Sequence, residues 1–546
     1  MKKLILLLII VLAFVLRFYR LDSYPALNAD EAAIGYNAYS LIQTGKDEHG
    51  NSWPIHFQSF NDYKPGLYFY LALPFVKLIG LNEWAVRIPG SSLGVLTVLV
   101  IYFLVLELFK SSKNLAFSIQ NLALGASFLL AISPWHIHFS RGGWEVNVAT
   151  FFIALGLLYF VKYTNRASFL CLVLSVLSFV LSLYTYHAAR IIVPLLGLGM
   201  SVIYRKEVFK NFKLVIFSLF LAIFLLIPLV KDLTGPAGIS RAAGVGLFAD
   251  PGPLNRINEQ RGEHADFTSI IPKLFHNKAV NYGLAFWENW VSHYHGEFLF
   301  LSGDAIERDK VPETGQMYLF DILFLIIGFV VLLKSSTVNR KSSLLVFWWL
   351  TVAPVASALT FQSPHALRAH NMVIPIVIIS AVGLSVVFSF FKKFSIWHLA
   401  FGILIAWSFL RYQHMYWVHM ARDYPYSSQY GLKELVSYVV QNQNRYEKVF
   451  ITDRYDQPYI LFLFYEKYPP AIFQKEQALT SRDKFGFSTV RDFWEYHFEA
   501  IDFAKIRQEF PNSLIVRTPE EIPPGTNIMK RIYGTNGYNY FDIVAN

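Results

Sequence analysis

The chain has 546 residues, 48 Lys and Arg against 38 Asp and Glu for a formal charge of +10, and a mean hydropathy of +0.38, yet only 16% of its residues are charged while 54% are hydrophobic. Ordinary globular chains carry about a quarter charged residues, so this balance excludes a basic, soluble nucleic-acid binder, and the apolar excess excludes a disordered or collagen-like chain. The single cysteine, Cys171, sits in an apolar run and excludes a disulfide-stapled fold.

A helix crosses the hydrocarbon core with about 20 mostly apolar residues, because every backbone amide must find its partner inside the segment. Long uncharged runs lie at about 4–19, 90–109, 115–133, 147–161, 168–186, 190–204, 214–230, 319–333, 344–361, 372–391 and 396–411, which predicts eleven transmembrane helices. The N-terminus and alternate short connections carry Lys2, Lys3, Lys110, Lys113, Lys162, Arg166, Arg205, Lys206, Lys210, Lys213, Lys334, Arg340, Lys341, Lys392 and Lys393, opposed only by Glu107 and Glu207. Retention of Lys and Arg on the cytoplasmic side then places the N-terminus inside and the C-terminus outside. The surplus positive charge is an orientation signal, and the outer side is close to neutral. The first run reads as a retained signal-anchor, since Arg17 and Arg20 follow it and no small-x-small cleavage site does.

Three long segments, 20–89, 231–318 and 412–546, fall on the outer side. Polar residues gathered at one surface favour an enzyme over a transporter, which keeps its working residues near mid-membrane. In the first loop, residues 28–45 predict a short helix on the membrane surface. Asn28 caps it with Glu31 three residues on, Ile34, Ala38, Leu41 and Ile42 form an apolar face, and Gly45 ends it. Asp30 and Glu31 then sit in the first turn. Acids there complement the helix dipole and complete a capping box, which alone accounts for Glu31; Asp30 is equally placed to act as a general base toward an incoming hydroxyl.

The stretches Asn28-Ala-Asp30-Glu31-Ala-Ala-Ile-Gly35-Tyr36, Tyr63-Lys64-Pro65-Gly66-Leu-Tyr and Asn82-Glu83-Trp-Ala-Val-Arg87-Ile-Pro89 resemble the first outer loop of the GT-C membrane glycosyltransferases, nearest the protein O-mannosyltransferases and aminoarabinose transferases of glycosyltransferase family 39 type. The likeness extends in pattern over roughly residues 1–410. It implies that Asp30, with Glu31, forms the catalytic acidic site and that Lys64 contacts the phosphate of a lipid donor. Lys64-Pro65-Gly66 departs from the two prolines usual in the family but keeps the lysine.

Further along comes Pro134-Trp-His136-Ile-His138-Phe-Ser140-Arg141-Gly-Gly-Trp144-Glu145-Val-Asn147. Charged groups between spans are costly and find partners, so Arg141 and Glu145 pair with each other or, as the resemblance implies, face the donor phosphate or the acceptor. Two later span ends repeat a pattern, His187-Ala-Ala-Arg190 and His365-Ala-Leu-Arg368, each aiming a histidine and an arginine the same way from one helical turn. Their arginines either snorkel to the interface or form a cradle for phosphate oxygens. Arg141, Arg190 and Arg368 are therefore donor-phosphate candidates, and Glu145, His187, His365, Tyr36 and Glu297 are substrate-binding candidates. Histidines beside Glu297 and Asp304 raise the question of a metal site, but no ligand spacing supports one, so no metal ligand is assigned and a divalent metal requirement stays open. The 231–318 loop instead suits a cover over the site or a wall of the acceptor groove.

After Arg411 the chain turns water-soluble. Strands are expected at 448–452, 513–516 and 540–544, helices near 428–444, 456–467 and 499–509, and a tight hairpin turn at Asn536-Gly537. The Gly244 and Gly246 pair is no nucleotide signal, and no phosphate-binding glycine motif occurs. The expected architecture is a polytopic α-helical membrane protein with a transmembrane catalytic domain at 1–411 and a small extracytoplasmic α/β domain at 412–546. The expected activity is inverting transfer of a sugar from a polyprenyl-phosphate donor to a glycan, lipid or protein acceptor at the outer face of the plasma membrane, with no nucleic-acid partner; a polytopic transporter or lipid flippase is the competing class.

Overall fold

The computed structural model describes every residue except 61, 113–116, 236, 239–245, 335–337, 392–395, 426, 428, 456 and 482–487. Lys113, Lys392, Lys393, Gly244, the start of the run expected at 115–133 and the first residues of the helices expected at 428–444 and 456–467 therefore lie outside the described residues. Each of the eleven expected runs forms a helix, from Lys2–Phe18 to Ile396–His414. Among the described residues, five helices are long and apolar enough to cross a membrane on their own, and Ile119–Ile132 with Pro134–Ser140 makes a sixth candidate bent by 58°. Phe169–Thr185, Ala189–Ile203 and Asp321–Leu333 are apolar but shorter, so helix length alone supports fewer full crossings than eleven.

By packing, the chain forms two compact units. The first comprises Met1–Arg17, Ser92–Ser140 and Glu145–Tyr412; the second comprises Phe18–Ser91, Arg141–Trp144 and Gln413–Asn546. The division does not follow chain order, because the first loop clusters with the C-terminal region.

The first unit is helical, and its surface is that of a protein in lipid. In Phe212–Leu233 only Ser218 and Leu229 are buried, while Phe217, Phe220, Ile223, Phe224 and Ile227 are exposed. Water would not tolerate such a stripe, whereas lipid solvates it. With no hydrophobic drive between helices in lipid, close packing relies on small residues. Asp321–Leu333 and Val373–Phe390 show this: a Cβ on Gly328 would meet the Ile379 carbonyl oxygen at 1.9 Å, and one on Gly383 would meet that of Phe324 at 1.9 Å. Arg17 is fully buried in this unit and donates to the carbonyls of Ala13, Leu130 and Ala131, with Nδ1 of His136 at 2.7 Å.

The second unit joins the first loop to the tail. The loop helix is Ala29–Thr44, with the complete Asn28 and Glu31 capping box and Gly45 at φ 70° closing its C-terminus, as its sequence predicts. A hairpin follows, β1 (His56–Ser59) and β2 (Asp62–Pro65), with Phe57 opposite Lys64. In the tail, β3 (Lys448–Thr452), β4 (Ala478–Leu479), β5 (Val490–Phe493), β6 (Tyr496–Glu499), β7 (Ser513–Arg517), β8 (Lys530–Tyr533) and β9 (Asn539–Ala545) build one sheet in the order β4-β5-β6-β3-β7-β9-β8. Its centre, β6-β3-β7, is parallel and its flanks antiparallel. The expected strands are present as β3, β7 and β9, and the expected turn carries Gly537 at φ 82° between β8 and β9. Strands β4, β5, β6 and β8 are additional; they are short, and β5 and β6 are separated by only Trp494 and Glu495. The loop helix packs into this tail: Tyr36 donates to the Tyr468 carbonyl at 3.0 Å, and Gln474 Nε2 donates to Ser40 Oγ, Thr44 Oγ1 and the Asp47 carbonyl at 2.8–3.1 Å.

Candidate active site

Within the second unit, the helix start at Asn28 places two adjacent acids in opposite environments. Helical geometry turns neighbouring residues about 100° apart, so Glu31 points inward when Asp30 points to the side. Glu31 is 1% exposed and meets the 0% exposed Arg87 in a two-pronged pair, Nε to Oε1 at 2.6 Å and Nη2 to Oε2 at 2.7 Å. The Gly143 amide donates to Glu31 Oε1 at 2.8 Å and the Asn28 amide to Oε2 at 3.3 Å, so both carboxylate oxygens are engaged. Arg87 also donates to the carbonyls of Leu21, Pro25 and Ala26, tying the start of the loop down. A residue larger than glycine at 143 would press on Glu31, since its Cβ would lie 3.2 Å from Glu31 Cγ.

Asp30 stays 25% exposed and is paired with the Lys64 ammonium, itself 13% exposed and 5.1 Å above the Phe60 ring. Two residues 34 apart in sequence are thus brought together by the β1-β2 hairpin folding back on the helix start. The arrangement offers a reachable carboxylate beside a reachable cation, which suits proton abstraction next to an anionic group. Tyr36, expected at the substrate, is fully buried, with its hydroxyl on the Tyr468 carbonyl.

Arg141 is fully buried and its guanidinium is engaged within the unit. It donates to the Tyr19 and Tyr24 carbonyls at 2.7 and 3.0 Å and to the Tyr416 hydroxyl at 3.0 Å, and lies 4.7 Å over the Trp417 ring. The helix Glu145–Arg166 begins only at Glu145, so Arg141 and Glu145 do not share a helical turn.

In the first unit the two His-Ala-x-Arg motifs diverge. Arg190 meets His187 Nδ1 at 2.9 Å, one turn away, and donates to the Leu183 carbonyl. Arg368 instead reaches Thr360 Oγ1 at 2.7 Å and Gln362 Oε1 at 3.2 Å, while His365 turns toward Asp304 and Asp309. Glu297 is exposed and accepts from Ser302 Oγ, and Glu145 is half-buried at its helix start. Arg87, Tyr416 and Asp309 carry structure that sequence reasoning left without a role. Arg87 stood inside a quoted motif, and its signal is that an arginine at the start of an apolar helix must find an acid.

Residues 7–233 match the family model described as dolichyl-phosphate-mannose-protein mannosyltransferase. The structure is similar to that of ArnT from Cupriavidus metallidurans bound to undecaprenyl phosphate, at a TM-score of 0.55 and 11% identity, covering 98% of this chain and 97% of that one; ArnT in the apo state compares equally. It also aligns with the Archaeoglobus fulgidus oligosaccharyltransferase in the apo form, at a TM-score of 0.49 and 15% identity, covering 85% of this chain and 63% of that one. No curated protein matches by sequence. At 11% identity the likeness to ArnT shows the fold. Together with the family match, it bears out the resemblance drawn from the first outer loop.

Proposed function

Starting from a multi-pass membrane glycosyltransferase of the GT-C kind, we propose that this chain transfers a sugar from a polyprenyl-phosphate donor to a hydroxyl or amine of a glycan, lipid or protein acceptor at the outer face of the plasma membrane, with inversion at the anomeric carbon. The observation that carries this reading is the pairing of a partly exposed Asp30 with Lys64 beside a fully engaged Glu31. Undecaprenyl phosphate in the ArnT structure supports a lipid-phosphate partner.

In the proposed step the acceptor gives its proton to Asp30 and attacks the anomeric carbon opposite the phosphate. The carbon–oxygen bond to phosphate breaks, its electron pair leaves with the polyprenyl phosphate, and Lys64 meets the charge that grows there. The geometry parallels inverting glycoside hydrolysis with the acceptor in place of water. No side chain need protonate so stable a leaving group. In the first unit, Arg190 and Arg368 remain the donor-phosphate candidates and Glu145, His187, His365 and Glu297 the substrate-binding candidates that the sequence points to. Glu31, Arg87, Arg141 and Tyr36 position the loop that carries Asp30. Eleven spans with the N-terminus inside, a transmembrane catalytic domain at 1–411 and an extracytoplasmic α/β domain at 412–546 complete the proposal.

Purified protein given a labelled polyprenyl-phosphate sugar should release or transfer the label, and Asp30→Asn should lower that rate by about 10² to 10⁴-fold. Asp30→Asn working as well as wild type would sink the mechanism.

A further inference from the structure

We propose that Asp304, Asp309 and His365 form a buried site for one divalent metal ion of the zinc or manganese class. The three come from separate places in the first unit: Asp304 follows the turn Glu297–Leu301, Asp309 closes the turn Glu307–Asp309, and His365 precedes the turn His370–Met372. One ligand atom from each lies within 4.8 Å of the others. His365 Nδ1 is 3.4 Å from Asp304 Oδ2 and 3.5 Å from Asp309 Oδ2. Donors held about 2.1 Å from one ion at tetrahedral or octahedral angles stand roughly 3.0 to 3.4 Å apart, so these separations suit a shared cation better than a direct hydrogen bond near 2.8 Å.

A second observation is the state of that nitrogen. His365 is 5% exposed, and its Nδ1 makes no hydrogen bond although it points at two carboxylates. A buried polar atom left so is costly, and a metal held between it and the two carboxylates would satisfy it. The surroundings hold the donors in place. Asp304 Oδ1 accepts from the Ile306 amide at 2.9 Å and Oδ2 from the Ala366 amide; the His365 amide donates to His293 Nε2 at 3.3 Å, which also meets Ser357 Oγ at 2.8 Å. A cavity of about 10 Å³, room for about one water, lies against Asp309 and is lined also by His138, Thr314 and Gln316. One imidazole with two carboxylates matches zinc or manganese better than calcium, which takes oxygen ligands alone. The ion would fasten the Asp304–Asp309 segment to the loop that carries Arg368. That consequence rests on the donor-phosphate reading, but the binding itself does not.

The test loads full-length protein in detergent with Zn²⁺ alone or Mn²⁺ alone, removes loose metal on a chelating resin, and counts bound metal by mass spectrometry. Wild type should retain about one ion per chain in at least one arm, while His365→Ala and Asp309→Asn, checked for monodispersity, should retain at least about tenfold less. Wild type retaining less than about a tenth of an ion in both arms, or a monodisperse variant retaining as much as wild type, overturns the proposal. If His365→Ala fails to fold, Asp309→Asn decides alone. Because the readout is bound metal, transferase activity does not enter it.

Discussion

Replacing Arg87 by methionine tests whether Glu31 is structural rather than chemical. The substitution keeps side-chain bulk but removes the charge that faces Glu31 through two contacts of 2.6 and 2.7 Å, and it takes away the donor to three backbone carbonyls. Neither partner is solvent-screened, since their exposures are 0% and 1%. Removing one member of such a pair costs about 3 to 5 kcal/mol, because the remaining charge stays buried. At about 2 to 4 °C per kcal/mol for a unit of roughly 200 residues, the melting temperature should fall by about 10 °C. Scanning fluorimetry on detergent-solubilised protein measures it. Glu31→Gln should cost a similar amount, and the double variant far less than the two losses added, since neither charge is then stranded. A loss under about 1 kcal/mol in the single variants, or strict additivity in the double, would refute the pairing as the reason for burial of Glu31.

Burial, with Asp47 beside it, pushes the carboxyl of Glu48 up to about 8 from an ordinary 4.5. The folded state therefore holds this proton where the unfolded chain has released it, so the Glu48 contribution to stability falls as pH rises from about 4.5 to about 8 and is flat above; Glu48→Gln should flatten that slope in melting-temperature scans and gain most above pH 8. Gly383→Ala should force apart the helices Asp321–Leu333 and Val373–Phe390 and cost about 1 to 3 kcal/mol, read as a lower melting temperature, because its Cβ has a carbonyl oxygen at 1.9 Å. Lys64→Ala should cut turnover while leaving stability, read by thermal melting, within about 1 kcal/mol of wild type, since the pair it breaks is partly exposed. Arg141→Lys should melt earlier, because a lysine cannot serve the Tyr19, Tyr24 and Tyr416 oxygens together while stacking on Trp417.

The local signals were the legible ones. The loop helix could be read from Asn28 to Gly45 because capping residues act within four positions, and the apolar runs could be read because lipid demands them. Strands β4 to β6 and β8 escaped because runs of two to four residues carry too little alternation. Partnerships set by folding were hidden: Arg87 with Glu31, Arg141 with Tyr416, and Asp309 with His365 join residues far apart in the chain, where no spacing rule reaches. Asp30 with Lys64 was anticipated only as two members of one resembling loop; the hairpin that joins them is a feature of the fold.

The chemistry at Asp30 is open to one direct measurement. A donor labelled with ¹³C at its anomeric carbon, turned over by the purified enzyme and followed by NMR, should give a product of inverted configuration from wild type and essentially none from Asp30→Asn. Retention of configuration, or undiminished transfer by Asp30→Asn, would contradict it.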